Sequence, residues 1–445
     1  MTGTGTVVDP YVILTPADLD AVRNDLGESV YYELGADIDL SSFPSWIPIA
    51  TMSNGSGFMG HFDDKGFTIS NMTITSAFHD PTFGAAVGLF GDTTISSLTT
   101  FTSSYTIQNL ILNSCSINLD NYSIDPGSWN QNGGKLFVGL LAGRWYDYTF
   151  PATSSLWNAI RNIQIKNSSI NIVKTNVTSI YTESLSTINL GGLLGYVAYG
   201  LVTSCSVDNI RISGNVSSSY ITPVVYVGGL ATNYVQLTYC AVRNSYVQFQ
   251  HKSNNTDNPN LFIAGMGDSQ LEVECHDNYV YNTVVSGALK VSGFVDSIAV
   301  GETQLGDAGH YFPSGKAYTN ATFGNTPTSS VYVFARQYTE FDSSSSLYNY
   351  VATSSGITSN DPTPSGMPAI GVLSVSQMQD SASYVGFDFT SVWTIDPTKQ
   401  GGLPYFGWQS IAPDPVVSLT LLSPLGGETY NANLGDIIPV SWSYT

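Results

Sequence analysis

The chain has 445 residues, of which 14 are Lys or Arg and 34 are Asp or Glu, a formal net charge of −20. Without a basic cluster this balance makes nucleic acid a poor partner, since phosphates need Lys or Arg to neutralise them, and it disfavours an anionic membrane surface. Charged residues are only 11%, against 42% apolar and 12% aromatic, so the chain is no disordered tail and can fill a continuous core, while no apolar run approaches the roughly 20 residues of a membrane-spanning helix.

Residues 1–30 read as an N-terminal cap. Met1-Thr2-Gly3-Thr4-Gly5 has neither the positive start nor the apolar stretch of a signal peptide, which fits a leader already removed or release by lysis, as for virion proteins. Thr15-Pro16-Ala17-Asp18 starts a helix, with Thr as N-cap, Pro at the first helical position and an acid in the first turn. Leu19, Val22 and Leu26 make its apolar face, and Gly27 is expected to stop it with positive φ. Strands are expected at Tyr31–Leu34 and Asp37–Leu40, and Ser70–Ile74 alternates as a half-buried strand.

From about 75 to 300 one degenerate pattern recurs. A small-residue turn appears at Val87-Gly88-Leu89-Phe90-Gly91, Val138–Gly143, Gly191–Gly195 and Val227–Leu230, with weaker copies at Ala264–Gly267 and Val291–Phe294. One strand later come apolar runs around Asn, Ser or Cys: Ile107–Leu110, Ile160–Ile163, Val202–Val207 and Leu237–Val242. A recurring unit that cannot bury its own apolar face implies a stacked array. The repeats therefore span 31–330, with insertions such as Ser123–Lys135, Arg144–Trp157, His251–Asn260 and Asp307–Ser330 expected as flank loops. Residues 331–412 close the array, with a capping box at Ser374-Val375-Ser376-Gln377. Pro413 to Pro415 reads as a linker. Residues 416–445 read as the opening strands of a β-sandwich that the natural protein is expected to complete.

Cys115, Cys205 and Cys240 are read as one repeat position, with Ser168 and Asn278 at its other copies. Small buried residues are the expected role; a Cys205–Cys240 disulfide requires adjacent rungs. No Cys-x-x-Cys is present, and no metal site is expected.

On these residues the chain resembles the GLUG-motif repeats of bacterial and viral surface proteins, named for a Gly-Leu-any-Gly turn. Gly3–Thr6 through Tyr11, Leu19–Asn24 and Leu34–Leu40 resemble the start of such arrays. Phe62–Ile69 resembles the family's Phe-Asp-Gly-x-Gly-x-Thr-Ile turn, with Asp64 in place of the usual Gly, and Tyr384–Phe406 resembles their ending. The resemblance covers 1–410. It implies an all-β fold, a right-handed parallel β-helix (solenoid) with a short capping helix, used as a stalk or adhesive region. Residues 416–445, with Ser423-Pro424-Leu425-Gly426-Gly427-Glu428, resemble the start of an immunoglobulin-like repeat.

No catalytic set assembles. Asp37 with Asp39, and Asp63 with Asp64, are read as turn residues rather than the paired carboxylates of a glycosidase. The five histidines are scattered without metal spacing. The binding candidate is Arg144-Trp145-Tyr146-Asp147-Tyr148, expected to project beside Trp129 and Asn130 as a glycan or interface patch. No cofactor is expected beyond loosely held Ca²⁺. The expected role is an extracellular, cell-surface or virion structural and adhesive protein, such as a tail fibre or decoration protein. Its partners would be a surface glycan, a receptor or neighbouring subunits, as in a homotrimer. The alternatives are a tailspike-like polysaccharide depolymerase and a passive spacer stalk.

Overall fold

A computed structural model of the protein describes residues 1–51, 57–77, 79–80, 84–93, 106–120, 123–124, 135–146, 159–177, 187–218, 224–253, 261–268, 275–291, 294–296, 300–301, 307–308, 317–323, 337–338, 346–352, 371–414, 419–423 and 441–444. The chain divides into two compact units, 1–378 with 382–387, and 379–381 with 388–445.

The first unit is a parallel β-helix. A full coil passes through four faces in turn and then returns to the first. The first face stacks Tyr11–Ile13, Tyr31–Leu34, His61–Asp63, Thr106–Gln108 and Ala159–Arg161. The second is a ten-stranded sheet running from Ile38–Asp39 through Ile111–Asn113, Gln164–Lys166, Ser206–Asp208 and Ala241–Arg243 to Gly371–Leu373. The third stacks Thr73–Ile74, Ser116–Asp120, Ser169–Val177, Arg211–Ser218, Tyr246–Ser253 and Val284–Val291, and the fourth Gly84–Val87, Lys135–Gly139, Thr187–Gly191, Val224–Gly228, Leu261–Ala264 and Val300–Gly301. Register is in phase from coil to coil, so Leu112, Ile165, Val207 and Val242 stack on one line, and Ile117, Ile170, Ile212 and Val247 on another. All of these are fully buried, and each such side chain contributes about 1.5–3 kcal/mol of transfer free energy.

The repeat turns are the corners after the fourth face. Their leucines, Leu89, Leu140, Leu193 and Leu230, stack fully buried with Met266. Each corner amide bonds the next coil, as in Leu89 N–H to Leu140 O and Leu193 N–H to Leu230 O. Glycine is required by close approach: a Cβ on Gly139 would lie 2.4 Å from Ala142 O and 2.5 Å from Gly195 N. The unequal repeat spacing has a single main origin. Between Phe90–Asp92 and Thr106–Gln108, and between Ala142–Tyr146 and Ala159–Arg161, the early coils carry extra residues; in later coils the same path is one strand, Leu194–Thr203 or Ala231–Thr238.

The corners flanking the second face use left-handed residues instead. Asn109, Asn162, Ser204 and Tyr239 have positive φ on one side, and Asn71, Ser114, Asn167, Asn209, Asn244 and Asn282 on the other. Asn tolerates this region, where its short amide finds local hydrogen bonds. Here the bonds run between coils: Asn162 Nδ2 to Asn109 Oδ1 at 2.9 Å, Asn167 to Asn113 at 2.9 Å, and Asn209 to Asn167 at 2.8 Å.

Several expectations are corrected. Ser70–Ile74 is not one strand: Asn71, at φ 58°, breaks it into Thr68–Ser70 and Thr73–Ile74 on different faces. The helix Pro16–Ala21 is capped by Thr15, whose side chain accepts from Asp18 N–H. It ends, however, through a 3₁₀ turn at Val22–Asn24 before the extended Asp25, and Gly27 does not have positive φ. Tyr11–Ile13 already belongs to the stack, paired with Tyr32–Leu34. Val291 and Phe294 belong to an antiparallel pair, not a repeat corner; the residues in register with Ile263 and Ala264 are Val300 and Gly301. Of the expected flank loops, Ala317–Phe323 is a strand of the second face and His251 continues one of the third.

Cys115 does not share the position of Cys205 and Cys240. It follows the second face, in line with Ser168, whose Oγ accepts from Cys115 N–H at 3.0 Å. Cys205 and Cys240 precede that face on adjacent rungs, and Asn278 is next in line, accepting from Cys240 N–H at 2.9 Å. All three thiols are buried and free.

Ser374 and Gln377 form the expected capping box of the helix Val375–Met378, Ser374 N–H donating to Gln377 Oε1 at 2.9 Å and Gln377 N–H to Ser374 Oγ at 3.3 Å. In the second unit Trp393–Thr394 pairs antiparallel with Tyr405–Phe406, the Trp393 and Phe406 rings 4.5 Å apart. Asp414, in the expected linker, accepts from Gly401 N–H. Leu419–Ser423 pairs antiparallel with Ser441–Tyr444.

Candidate functional site

Of the predicted patch, Arg144 and Trp145 do not project as expected. Ala142–Tyr146 is a strand, in register with Phe90 and Asp92 on one side and with Leu194 to Ala198 on the other. Alternation therefore turns Trp145 inward. Trp145 is fully buried, and a Cβ on Gly200 would lie 2.7 Å from its Cδ1; the small residue makes room for the indole. Arg144 points the other way but is also buried, with Nε donating to Asp92 Oδ2 at 2.6 Å and the guanidinium over the Phe137 ring at 5.6 Å. Aromatic and cationic character, taken in the sequence as a projecting loop, here fills and braces the coil. Tyr146 is placed in the strand; Trp129, Asn130, Asp147 and Tyr148 lie outside the described residues.

The acidic turns are structural. Asp37 accepts from Thr68 N–H at 2.8 Å, and Asp39 from Ser41 N–H and Asn71 Nδ2 at 2.9 Å each. Hydrogen bonding from Asn71 and Ser41 holds the Asp39 carboxyl below its usual range. Asp63 accepts from Lys65 N–H, Gln108 Nε2 and Asn109 Nδ2 at 2.9, 2.8 and 2.9 Å. Partial burial pushes its pKa up, but the bonds from Asn109, Lys65 and Gln108 outweigh that and lower it overall. Lys65 Nζ lies 3.4 Å from both Asp63 and Glu33.

Asp64 differs. In later coils the first amide of the second face is taken by a corner carbonyl one coil earlier: Gln164 N–H by Leu110 O, Ser206 N–H by Ile163 O, Ala241 N–H by Cys205 O. At Ile111 the acceptor is Asp64 Oδ2, at 3.1 Å, so a side chain supplies what the backbone supplies elsewhere. Asp64 is fully buried and its Oδ1 has no hydrogen-bond partner. Burial pushes its pKa up to about 8, the Ile111 bond opposes this, and Asp37 and Asp63 add to it. A carboxyl enclosed this way serves as a neutral acceptor for a backbone amide, not as a base open to substrate.

His61 stacks on Tyr31 with ring centroids 4.1 Å apart; its buried Nε2 has no hydrogen-bond partner, and burial lowers its pKa. His276 follows Cys275 in a strand in register with Leu237 and Thr238. Among the described residues no three His, Cys, Asp or Glu side chains are grouped to hold a metal ion.

What does face solvent is the outer side of the third face and its corner with the second. Its first outward row is Ser116, Ser169, Arg211, Tyr246 and Val284, and its second is Asn118, Asn171, Ser213, Gln248 and Ser286. Tyr246 is 51% exposed and Val284 37%, while the Arg211 guanidinium lies 5.9 Å from the Tyr246 ring centroid. Asn171 Nδ2 donates to Asn118 Oδ1 at 3.1 Å, and Ser213 Oγ to Asn171 Oδ1 at 3.1 Å. Sequence reading passed over Tyr246 and Arg211 because each stands alone in its own strand; only register makes them neighbours. The available signal was period-two alternation at Arg211-Ile212-Ser213 and Tyr246-Val247-Gln248, polar outside and apolar inside.

No protein-family model matches the chain. It is 42% identical over 94 residues to a proposed Gly-rich membrane protein of Evansella cellulosilytica, and 35% identical over 99 residues to halomucin of Haloquadratum walsbyi. Each match covers 20% of this chain, and only 10% and 1% of those proteins' own lengths. Among solved structures, a Bacteroides ovatus protein proposed to be an immunoglobulin A1 protease aligns over 92% of this chain and 95% of its own, at 15% identity and a TM-score of 0.42.

Proposed function

We propose that the chain is a GLUG-type structural and adhesive module of an extracellular surface protein, on a cell or a virion. It presents the outer faces of a β-helix to a glycan or to a neighbouring subunit and does not itself turn over substrate. The observation that carries the reading is the division of labour among its polar groups. The carboxylates Asp37, Asp39 and Asp63 hold turns together and Asp64 is sealed inside, whereas the third face leaves an ordered row of polar and aromatic side chains to solvent. A solenoid of this kind offers an extended surface at little cost in stability, because each coil needs only its neighbours. Partial likeness to a mucin-named protein and a proposed membrane protein supports a surface setting.

The test is a glycan array probed with the full chain, with released reducing ends assayed in parallel. Binding without release is expected. Release of sugar ends, abolished by substitutions that leave folding intact, would replace this reading with a depolymerase. Failure to hold any glycan would leave a spacer or subunit-packing role.

A further inference from the structure

We infer that the corner between the second and third faces is a binding strip for a linear acidic polysaccharide lying along the solenoid axis. The inference rests on the adhesive reading above and assigns it a place and a ligand class. In a chain of net charge −20, neither of the first two outward rows of the third face carries a carboxylate over five successive coils; the exposed Asp120 stands in the third outward row, two coils before Arg211. Among the described residues, Lys166, at the edge of the second face, and Arg211, at the start of the third, are held in no ion pair. Asp208, in register with Lys166, is already neutralised by Arg243 Nη1 at 2.8 Å and accepts from Asn244 Nδ2 at 3.0 Å. Around Arg211 the described charges, Lys166, Arg211 and Arg243 against Asp208, are therefore cationic on an acidic molecule, and complementarity of this kind selects an anionic partner.

Several kinds of ligand-binding group also meet at one place. Tyr246 offers an exposed ring, and Arg211 beside it offers planar, bidentate donation suited to a carboxylate or sulfate. The asparagine ladder of the corner is interrupted there. Asn209 Nδ2 donates to Asn167, but Asn244 Nδ2 turns to Asp208 rather than to Asn209, leaving the exposed Asn209 Oδ1 to bond a hydroxyl. A ring face, a carboxylate fork and an amide acceptor together fit a sugar acid better than an acidic peptide, which needs no stacking platform. The rows repeat only along the axis, at about 4.8 Å per coil, so five coils make a strip on the order of 20 Å long, suited to an extended chain rather than a compact ligand.

The experiment uses the full chain and four soluble polymers: polygalacturonate, chondroitin sulfate, neutral dextran and polyglutamate, with affinities measured at low and at physiological salt. At least one acidic polysaccharide is expected to bind, more weakly as salt rises, and better than dextran and polyglutamate. Arg211→Gln should weaken it about tenfold and Tyr246→Ala about fivefold. Arg161→Gln, an exposed cation on the first face, should change nothing. Arg211 and Tyr246 are exposed, so unchanged thermal unfolding is expected to accompany both losses. Equal binding of polyglutamate, or acidic-glycan binding indifferent to both substitutions, overturns the strip. Dextran preferred with the variants unaffected overturns the strip but leaves the adhesive reading standing. No polysaccharide held at either salt overturns the strip, and the glycan array then decides whether the glycan-binding half of the adhesive reading falls with it.

Discussion

Two kinds of corner solve the same problem in this molecule. After the fourth face the chain turns through Gly88, Gly139 and Gly191, where successive backbones approach so closely that a Cβ has no room. Around the second face it turns through Asn109, Asn162, Asn167 and Asn209, each in the left-handed region and exposed or at the surface. The first corner is inside the stack and is held by backbone amides and stacked leucines; the second is wet and is held by side-chain amides donating to one another. The dry corner is thus intolerant of added atoms, while the wet corner tolerates change but depends on conformational preference. Function is expected at the wet corner, because its groups can exchange partners with solvent and ligand.

The largest expected effect is on the dry side. Trp145→Ala should cost about 3–5 kcal/mol by opening a cavity between coils, read by chemical denaturation. A near-neutral result with lost glycan binding would return the indole to the surface. Gly139→Ala should follow, at or near the roughly 3 kcal/mol upper end of overpacking costs, since the atoms it meets are backbone and cannot swing aside; a wild-type melting temperature would contradict the close approach.

Asp64→Asn tests the substitute acceptor, and its sign follows from titration. The folded pKa of about 8 lies above the ordinary aspartate value of 3.8, so folding must hold a proton that the unfolded chain releases. Stability from this group is fully present below about pH 4. It falls as pH rises toward 8 and is constant beyond. Asn keeps an acceptor for Ile111 N–H without the charge, so at pH 8 the variant should be more stable by roughly 1–3 kcal/mol, with the slope of stability against pH between 4 and 8 reduced. An unchanged slope would show that Asp64 is ionised in the fold. The smallest effect is at the wet corner. Asn167→Ala should cost about 1–2 kcal/mol, the penalty for a Cβ in the left-handed region, and Asn167→Gly distinctly less; equal losses would mean that the ladder hydrogen bonds, not the backbone, set the cost.

The stacked array was legible from the recurrence of Gly-Leu turns and apolar runs. So were the cap at Thr15, the capping box at Ser374, the inward aliphatics Ile107, Leu110, Ile163 and Val207, and the turn role of the paired aspartates, because each is set by local backbone chemistry or by a period within one coil. Three matters needed the tertiary structure. Whether Trp145 faced in or out depended on strand phase, which a shift of one residue reverses. Cys115 and Cys205 look alike in their Asn/Ser-rich surroundings but stand at successive corners, since both corners use the same left-handed turn. Arg211 and Tyr246 are 35 residues apart in the chain and meet only because two coils stack in register. Sequence alone determined that this chain must stack, since no single coil can bury its own apolar side. Which side chains the stack leaves in water, and beside which neighbours, was decided by register, a long-range quantity that no local pattern contains.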